Sequence, residues 1–256
     1  MMIDLTGKTV LLTGASKGIG AATARILGEA GANLVAHYSS DRAGVEDATR
    51  DIPAERRHFV QGDLGQPGAV DKIWADAVAW RGQVDVLVNN AGIFLNEGGI
   101  DDPDEEWDRV WDVTMKVNVL APARLLRSAV RAFRKQGGGI AVTIASWNGQ
   151  RGSTNPRTIA YAASKAAIKA AMQTVARGYA KEKVLAYVIT PGVVQTRLSE
   201  QSAVALGGVD KVNATLAMGE WVPPEEIGYL VAFLASGRVR HLTGATLDIN
   251  GASYIR

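Results

Sequence analysis

Cysteine is absent from this chain of 256 residues, which excludes disulfides, thiolate metal sites and a cysteine nucleophile. Histidine is scarce: His37, His58 and His241 are scattered and none lies in a metal-ligand spacing, so no metal site is expected. The net charge is only +2, with no basic block and no basic stripe interleaved with aromatics, which points away from nucleic acid and toward small-molecule partners. No apolar run approaches the ~20 residues needed to span a bilayer. The opening MMIDLTGKTV has neither a basic leader nor a long apolar core with a cleavage site. A soluble cytoplasmic protein without a membrane segment is expected. Internal repeats, low-complexity stretches and dividing linkers are also missing. With 47% of its residues hydrophobic the chain can bury one substantial core, so residues 1–256 read as a single α/β domain.

The stretch that carries chemistry is Thr158 to Ala171, TIAYAASKAAIKAA. Tyr161 and Lys165 stand one helical turn apart on one face, which lets the ammonium approach the phenol. A free phenol titrates near pH ~10, and a nearby cation favours the phenolate by about 1 to 3 pK units. Such a pair can give or take a proton in a single step. Tyr and Lys at this spacing also arise by chance, but the alanines around them leave room for a cofactor or a second helix.

From the N-terminus, Lys8 to Leu12 reads as a strand, TGASKGIG (Thr13 to Gly20) as a turn, and Ile19 to Ala30 as a helix. Gly14, Gly18 and Gly20 between a strand and a helix match the dinucleotide fingerprint, in which the helix N-terminus offers free N–H groups to a phosphate. Ala32 to Tyr38 is a second strand. No acid stands at its end to hold the ribose hydroxyls of NAD; Tyr38, Ser39, Ser40 and Arg42, with Lys17 of the glycine loop, suit a 2′-phosphate instead. NADP(H) is therefore expected over NAD(H), against the alternatives that Lys17 and Arg42 are ordinary solvated charges and that Asp41 spoils the site. A third strand, Arg57 to Gln61, leads to Asp63, which either accepts from the adenine amino group or caps the helix expected from Pro67 to Trp80. The fourth, Val84 to Asn89, leads to Asn90, Ala91 and Gly92, small enough for the backbone to lie against a flat ring, with asparagine amides to tie strands together.

Asp104 to Gln136 reads as one long helix in which Asn118 is the polar exception, either satisfying a backbone group or kinking the helix. A fifth strand, Ile140 to Ser146, ends on a hydroxyl at the carboxyl edge of the sheet, where ligands bind. With no His–Asp relay nearby, Ser146 is a hydrogen-bond donor to a carbonyl or alcohol oxygen rather than a nucleophile. A loop, Trp147 to Arg157, precedes the Tyr–Lys helix. After a sixth strand, Lys183 to Ile189, the poor periodicity of Arg197 to Met218 and its Gly207-Gly208 break suggest a mobile flap, placed at residues 197–221. A helix, Glu225 to Ala235, and a last strand, Ala245 to Ile249, complete the chain.

TGASKGIG, NNAG at 89–92, Asn118, Ser146, YAASK at 161–165, Pro191-Gly192 and the ending LTGATLDING together resemble the classical short-chain dehydrogenase/reductases, over essentially the whole chain and with highly specific motifs. GQVDVLVNNAG and the acidic run with Trp107 look most like the 3-oxoacyl-carrier-protein reductase type. The resemblance implies a Rossmann-like, doubly wound parallel sheet of seven strands with helices on both faces. It makes Tyr161 the acid/base and Lys165 the group that lowers its pKa and holds the nicotinamide ribose. Ser146 would orient the substrate oxygen, and Asn118 would fix a water linking Lys165 to solvent. It assigns cofactor contacts to Gly14, Ser16, Lys17, Ile19, Asp63, Leu64, Asn90, Tyr161, Lys165, Pro191, Val194 and Thr196, with Gly192 beside them. It also implies a homotetramer, or a homodimer, built on the long helix and the Tyr161 helix. Three alternatives stand beside this one: an NAD-preferring sugar or polyol dehydrogenase of the same family, a non-catalytic dinucleotide sensor or scaffold, and a sugar epimerase, for which too little chain follows Gly192.

Overall fold

Short apolar runs bounded by glycine and polar turns become seven strands: β1 (Thr9–Leu12), β2 (Asn33–Tyr38), β3 (Arg57–Gln61), β4 (Val86–Asn89), β5 (Gly139–Ile144), β6 (Val184–Pro191) and β7 (Thr246–Ile249). The computed structural model describes residues 3–205 and 207–256. The strands form one parallel sheet in the order β3-β2-β1-β4-β5-β6-β7. Alternate side chains feed two separate cores. Val10 and Leu12, Val86 and Val88, and Tyr187 and Ile189 enter one, while Leu11, Leu87 and Val188 enter the other. Burial on both faces explains why β1, β4 and β6 are almost continuously apolar rather than alternating.

Helices α1 (Gly18–Glu29) and α10 (Pro224–Ala235) cover the first core; α3 (Ala69–Arg81), α5 (Ala121–Gln136) and α7 (Ile159–Tyr179) cover the second. The remaining helices are α2 (Arg42–Ala48), α4 (Asp104–Met115), α6 (Asn148–Arg151), α8 (Arg197–Ala205) and α9 (Val209–Asn213). The β1–α1 and β4–α4 connections leave the sheet in opposite directions around the boundary between β1 and β4. That is the crevice where ligands bind in open sheets of this kind.

Several expectations are corrected. The single helix expected over Asp104 to Gln136 is α4 and α5 joined by a π-helical turn, Lys116–Leu120, with Asn118 buried inside it. β5 stops at Ile144, so Ser146 lies two residues beyond the strand, and the expected loop after it contains the single turn of α6. The stretch 197–221, expected as a flap, contains the short helices α8 and α9 on either side of Gly207-Gly208, which leaves that expectation as it stood; Leu206 lies outside the described residues. Among the described residues no helix is long and apolar enough to cross a membrane, and no group of three or more His, Asp or Glu is placed to hold a metal ion.

Candidate active site

Four polar side chains expected from the sequence meet at the carboxyl edge of β4 and β5. Tyr161 and Lys165 occupy successive turns of α7, and the Lys165 amine sits 5.7 Å from the centre of the phenol ring. Lys165 is 6% exposed and donates to the Ile144 carbonyl at 3.1 Å, which ties α7 to the end of β5. Ser146, also buried, accepts from the Asn148 amide at 3.2 Å and shares a side-chain hydrogen bond with the phenol of Tyr161. With its acceptor side used by Asn148, the serine hydroxyl is turned to donate to the phenol oxygen. The Tyr161 ring is fixed from its other side by the edge of Phe94, with centroids 5.0 Å apart at 76°.

Asn118 acts on this cluster through the backbone. Its carbonyl accepts from Ile93 N at 2.8 Å, and its amide donates to Ile93 O at 2.9 Å and to Ser164 Oγ at 3.2 Å. Ser164 in turn donates to the Tyr161 carbonyl at 2.7 Å. The π-helical turn supplies the extra residue that brings Asn118 to face both β4's exit and α7.

Electrostatics differ from the sequence expectation in one respect. Burial is the largest influence on the Tyr161 phenol and raises it, while the Ser146 hydrogen bond works in the opposite direction. Burial also pulls Lys165 down, to about 8. The expected lowering of the phenol by the amine does not dominate here, because both groups are withdrawn from water and each is driven toward its neutral form.

The glycine loop lies next to this cluster, and Thr13, Asn90 and His37 hold it in place. Asn90 donates through its amide to Thr13 O at 2.9 Å and Gly14 O at 3.1 Å; the backbone N–H groups of Asn90 and Ala91 both donate to Thr13 Oγ1 at 3.0 Å. These bonds lock β1's exit to β4's exit. Asn89 instead donates to Pro122 O at 3.1 Å, anchoring α5. Gly14 needs to be glycine: its φ is +68°, and a Cβ there would come within 3.0 Å of Ala91 Cα. At Gly92 a Cβ would lie 3.2 Å from Asn118 Oδ1 and 3.3 Å from Lys165 Nζ, so the missing side chain keeps open the space beside the amine.

Ile19, Asn90, Gly92, Ile144, Ser146, Tyr161, Lys165, Pro191, Gly192, Val194 and Thr196 line a common cavity of about 140 Å³. A larger hollow of about 650 Å³, between residues 218–226 and 248–256, contains none of the four polar groups and is not the site of this chemistry.

The expected adenosine-end residues are more dispersed. Lys17 and Asp63 are exposed, and Leu64 packs against the second core. Asp63 accepts from Gly65 N and the Gln66 amide; the residue preceding α3 is Gly68, so Asp63 does not cap that helix. Ser16 donates to the Asp41 carbonyl at 2.9 Å. Asp41 itself caps α2 by accepting from Gly44 N at 2.9 Å. Ser39 and Ser40 are exposed at the end of β2, and Tyr38 is buried. Arg42 is committed elsewhere than expected: it pairs with Glu46 at 2.7 Å, donates to Tyr38 Oη at 3.3 Å and lies 5.0 Å over the Phe59 ring. Lys17 is therefore the cation the loop itself offers. Of the residues that shape this site, sequence reasoning missed Phe94, Thr13 and His37; only Phe94, two residues past NNAG, carried a local signal.

A family model described as "Enoyl-(Acyl carrier protein) reductase" matches residues 14–252, and the chain belongs to the short-chain dehydrogenase/reductase family of oxidoreductases. It is 33% identical over 259 residues to 3beta-hydroxysteroid dehydrogenase 1 of Eggerthella lenta, covering 98% of this chain and 95% of that one. It is 30% identical to the 3-oxoacyl-[acyl-carrier-protein] reductase FabG of Escherichia coli K12, over 99% of this chain and all of the relative. Among solved structures, a 3-ketoacyl-(acyl-carrier-protein) reductase from Brucella melitensis complexed with NADH superposes with a TM-score of 0.85 at 27% identity, covering 98% and 100% of the two chains. The chain is thus an enzyme of CH–OH or carbonyl chemistry that uses a nicotinamide dinucleotide.

The residues present fit that cofactor. Gly14 and Gly18 hold left-handed backbone, α1 presents its N-terminus at Gly18, and the absent side chain of Gly92 leaves space next to Lys165.

Proposed function

We propose that this enzyme is an NADP(H)-dependent oxidoreductase acting between a carbonyl and a secondary alcohol, with Tyr161 as acid/base. The observation that carries the reading is one cavity, shared with the glycine loop, in which Ser146 hydrogen-bonds the Tyr161 phenol and the Lys165 amine lies 5.7 Å from its ring centre. When bound, the nicotinamide supplies or accepts the hydride. Glycines 14, 18 and 20 and Asn90 would hold the loop for the pyrophosphate, and Lys165 would hold the nicotinamide ribose. Ser146 and Tyr161 hold the substrate oxygen from two sides. In the reducing direction Tyr161 gives its proton to that oxygen as negative charge develops on it, while Ser146, its single O–H turned from the phenol to the substrate, holds the same oxygen. The positive charge of Lys165 in the same buried space makes that phenolate less costly, by about 1.4 kcal/mol for each pK unit gained. Asn118 is a positioning residue that sets Ile93 and the Tyr161 carbonyl.

The phosphate preference rests on the two charges at the adenosine end. Asp41 is spent capping α2 and Lys17 stands exposed on the glycine loop, a combination that welcomes a 2′-phosphate. The competing reading, an NAD-preferring sugar or polyol dehydrogenase, is favoured by Arg42 being engaged with Glu46 and by the NADH complex of the Brucella reductase.

Tyr161→Phe is the direct test. The cavity and the loop remain, so NADPH binding followed by fluorescence should change little, while kcat falls by about 10²-fold or more. Near-normal turnover in the Phe variant would remove Tyr161 from the chemistry. A screen of ketones, 3-oxoacyl thioesters and sugar alcohols with both cofactors would name the substrate class. No turnover with any member would favour the non-catalytic alternative.

A further inference from the structure

His37 is the one buried histidine of the glycine-loop region, and the chemistry above makes no use of it. It lies near the end of β2, 2% exposed, facing the second core side where Val35 also points. Its Nδ1 is 3.1 Å from the Gly14 backbone N, and its Nε2 is 2.9 Å from the Gly62 carbonyl. The first contact needs an acceptor and the second a donor. Only the neutral ring with its proton on Nε2 satisfies both.

The imidazole therefore joins two segments, the glycine loop at Gly14 and the β3–α3 turn at Gly62. The loop's own geometry demands this support. Gly14 is in the left-handed region, and its amide is at the point where the chain leaves β1. We propose that His37 is a positioning residue for the dinucleotide: as the neutral Nε2–H tautomer it holds the Gly14 amide, and protonation of the ring releases the glycine loop and weakens cofactor binding. Protonated, Nδ1 would present a second N–H to the Gly14 N–H, which loses its partner.

The surroundings do not offset that charge. On the glycine loop the charged side chain is Lys17, on the turn after β3 it is Asp63, and past the end of β2 come Asp41 and Arg42; all four are exposed. Asp63 accepts from Gly65 and Gln66, Asp41 from Gly44, and Arg42 pairs with Glu46. The neighbouring phenol of Tyr38 accepts from Arg42 at 3.3 Å. Burial lowers the imidazole below its usual value, opposed in part by the Gly62 carbonyl. Stability from this group is thus complete above pH ~6.5 and declines as pH falls through the lowered folded-state value.

The inference rests on the nicotinamide-dinucleotide assignment, and the experiment separates the two. Dissociation constants for NADPH and for NADH are measured by fluorescence between pH 5.5 and 8 on the wild type, His37→Asn and His37→Leu. NADH is included because the 2′-phosphate itself titrates near pH ~6. In the wild type both cofactors should bind measurably more weakly at the acid end, by less than about tenfold because burial keeps part of the ring neutral at pH ~5.5. His37→Asn, which puts an uncharged acceptor where Nδ1 stood, should recover most of the affinity at pH 8 and show a flat profile with NADH. His37→Leu should bind about tenfold more weakly at pH 8 with a flat profile. An acid dependence with NADH that persists in His37→Asn would overturn the proposal. So would a Leu variant that binds like the wild type. Failure of the wild type to bind either cofactor at pH 8 would instead sink the dinucleotide assignment, and the proposal with it. An independent readout on the protein alone is the ring-nitrogen NMR spectrum at pH 7, where His37 should show a protonated Nε2 and an unprotonated Nδ1; the reverse pattern excludes the mechanism.

Discussion

Lys165 shows what a reactive group costs the fold that holds it. Its amine is withdrawn from water with one backbone carbonyl, Ile144 O, as its hydrogen-bond partner among the described residues, and its pKa falls from 10.5 to about 8. A shift of that size means that holding the ammonium costs about 3 kcal/mol at neutral pH. Because the folded-state value is depressed, the cost is complete below pH 8 and fades as pH rises toward 10.5. Lys165→Met keeps the volume and removes the charge. Urea denaturation at pH 7 should show a variant at least as stable as the wild type, by up to about 2 kcal/mol after the Ile144 bond is lost. Turnover should fall by orders of magnitude in the same protein. A variant destabilised by more than 1 kcal/mol would mean that the amine serves the fold rather than the reaction.

At the scale of elements, the join between α4 and α5 decides how the site is assembled. Asn118 satisfies both the N–H and the C=O of Ile93, the first residue after NNAG. Asn118→Ala would leave both backbone groups, half-buried at the cavity wall, without their partner, at about 1 to 2 kcal/mol each, with the Ser164 bond lost besides. The expected loss is about 2 to 5 kcal/mol in urea denaturation with an unchanged m-value, because the surface exposed on unfolding is the same. An unperturbed midpoint would show that Ile93 finds other partners. The π-helical turn that enables this contact was illegible in the sequence: one extra residue in a helix barely disturbs an apolar periodicity spread over Trp107, Val110, Val117 and Leu125. The strands, by contrast, were readable to within a residue or two at most ends, since burial on both faces leaves long apolar runs between glycines. Tyr161, Lys165, Ser146 and Asn118 were legible as a set because their motif is local and specific. His37 and Thr13 were not, since what matters about them is a contact with a segment more than twenty residues away. The engagement of Arg42 was hidden for another reason: Glu46, one turn on, is an equally good partner for it as a phosphate, and sequence alone does not say which wins.

At the scale of the whole molecule, the boundary between β1 and β4 brings the glycine loop and the Tyr161 helix to one cavity, and on the proposed reading a single ligand would bridge them. The two sides are held together in the protein by a small number of bonds, chiefly those of Asn90 and Thr13. A cofactor that binds only the folded chain stabilises it by mass action, about 2.7 kcal/mol at a concentration one hundred times Kd. For a chain of this size each kcal/mol raises Tm by roughly 2 to 4 °C, so a shift of about 5 to 10 °C is expected. If Lys17 faces a 2′-phosphate, NADPH must raise Tm further than NADH at the same concentration, and Lys17→Ala must narrow the gap by weakening NADPH alone. Differential scanning fluorimetry reads all four combinations. Equal shifts in the wild type, or a larger one with NADH, would assign the adenosine end to NAD and leave Lys17 as a solvated charge; a gap that survives Lys17→Ala would move the phosphate to Arg42, which would then have to exchange Glu46 for it.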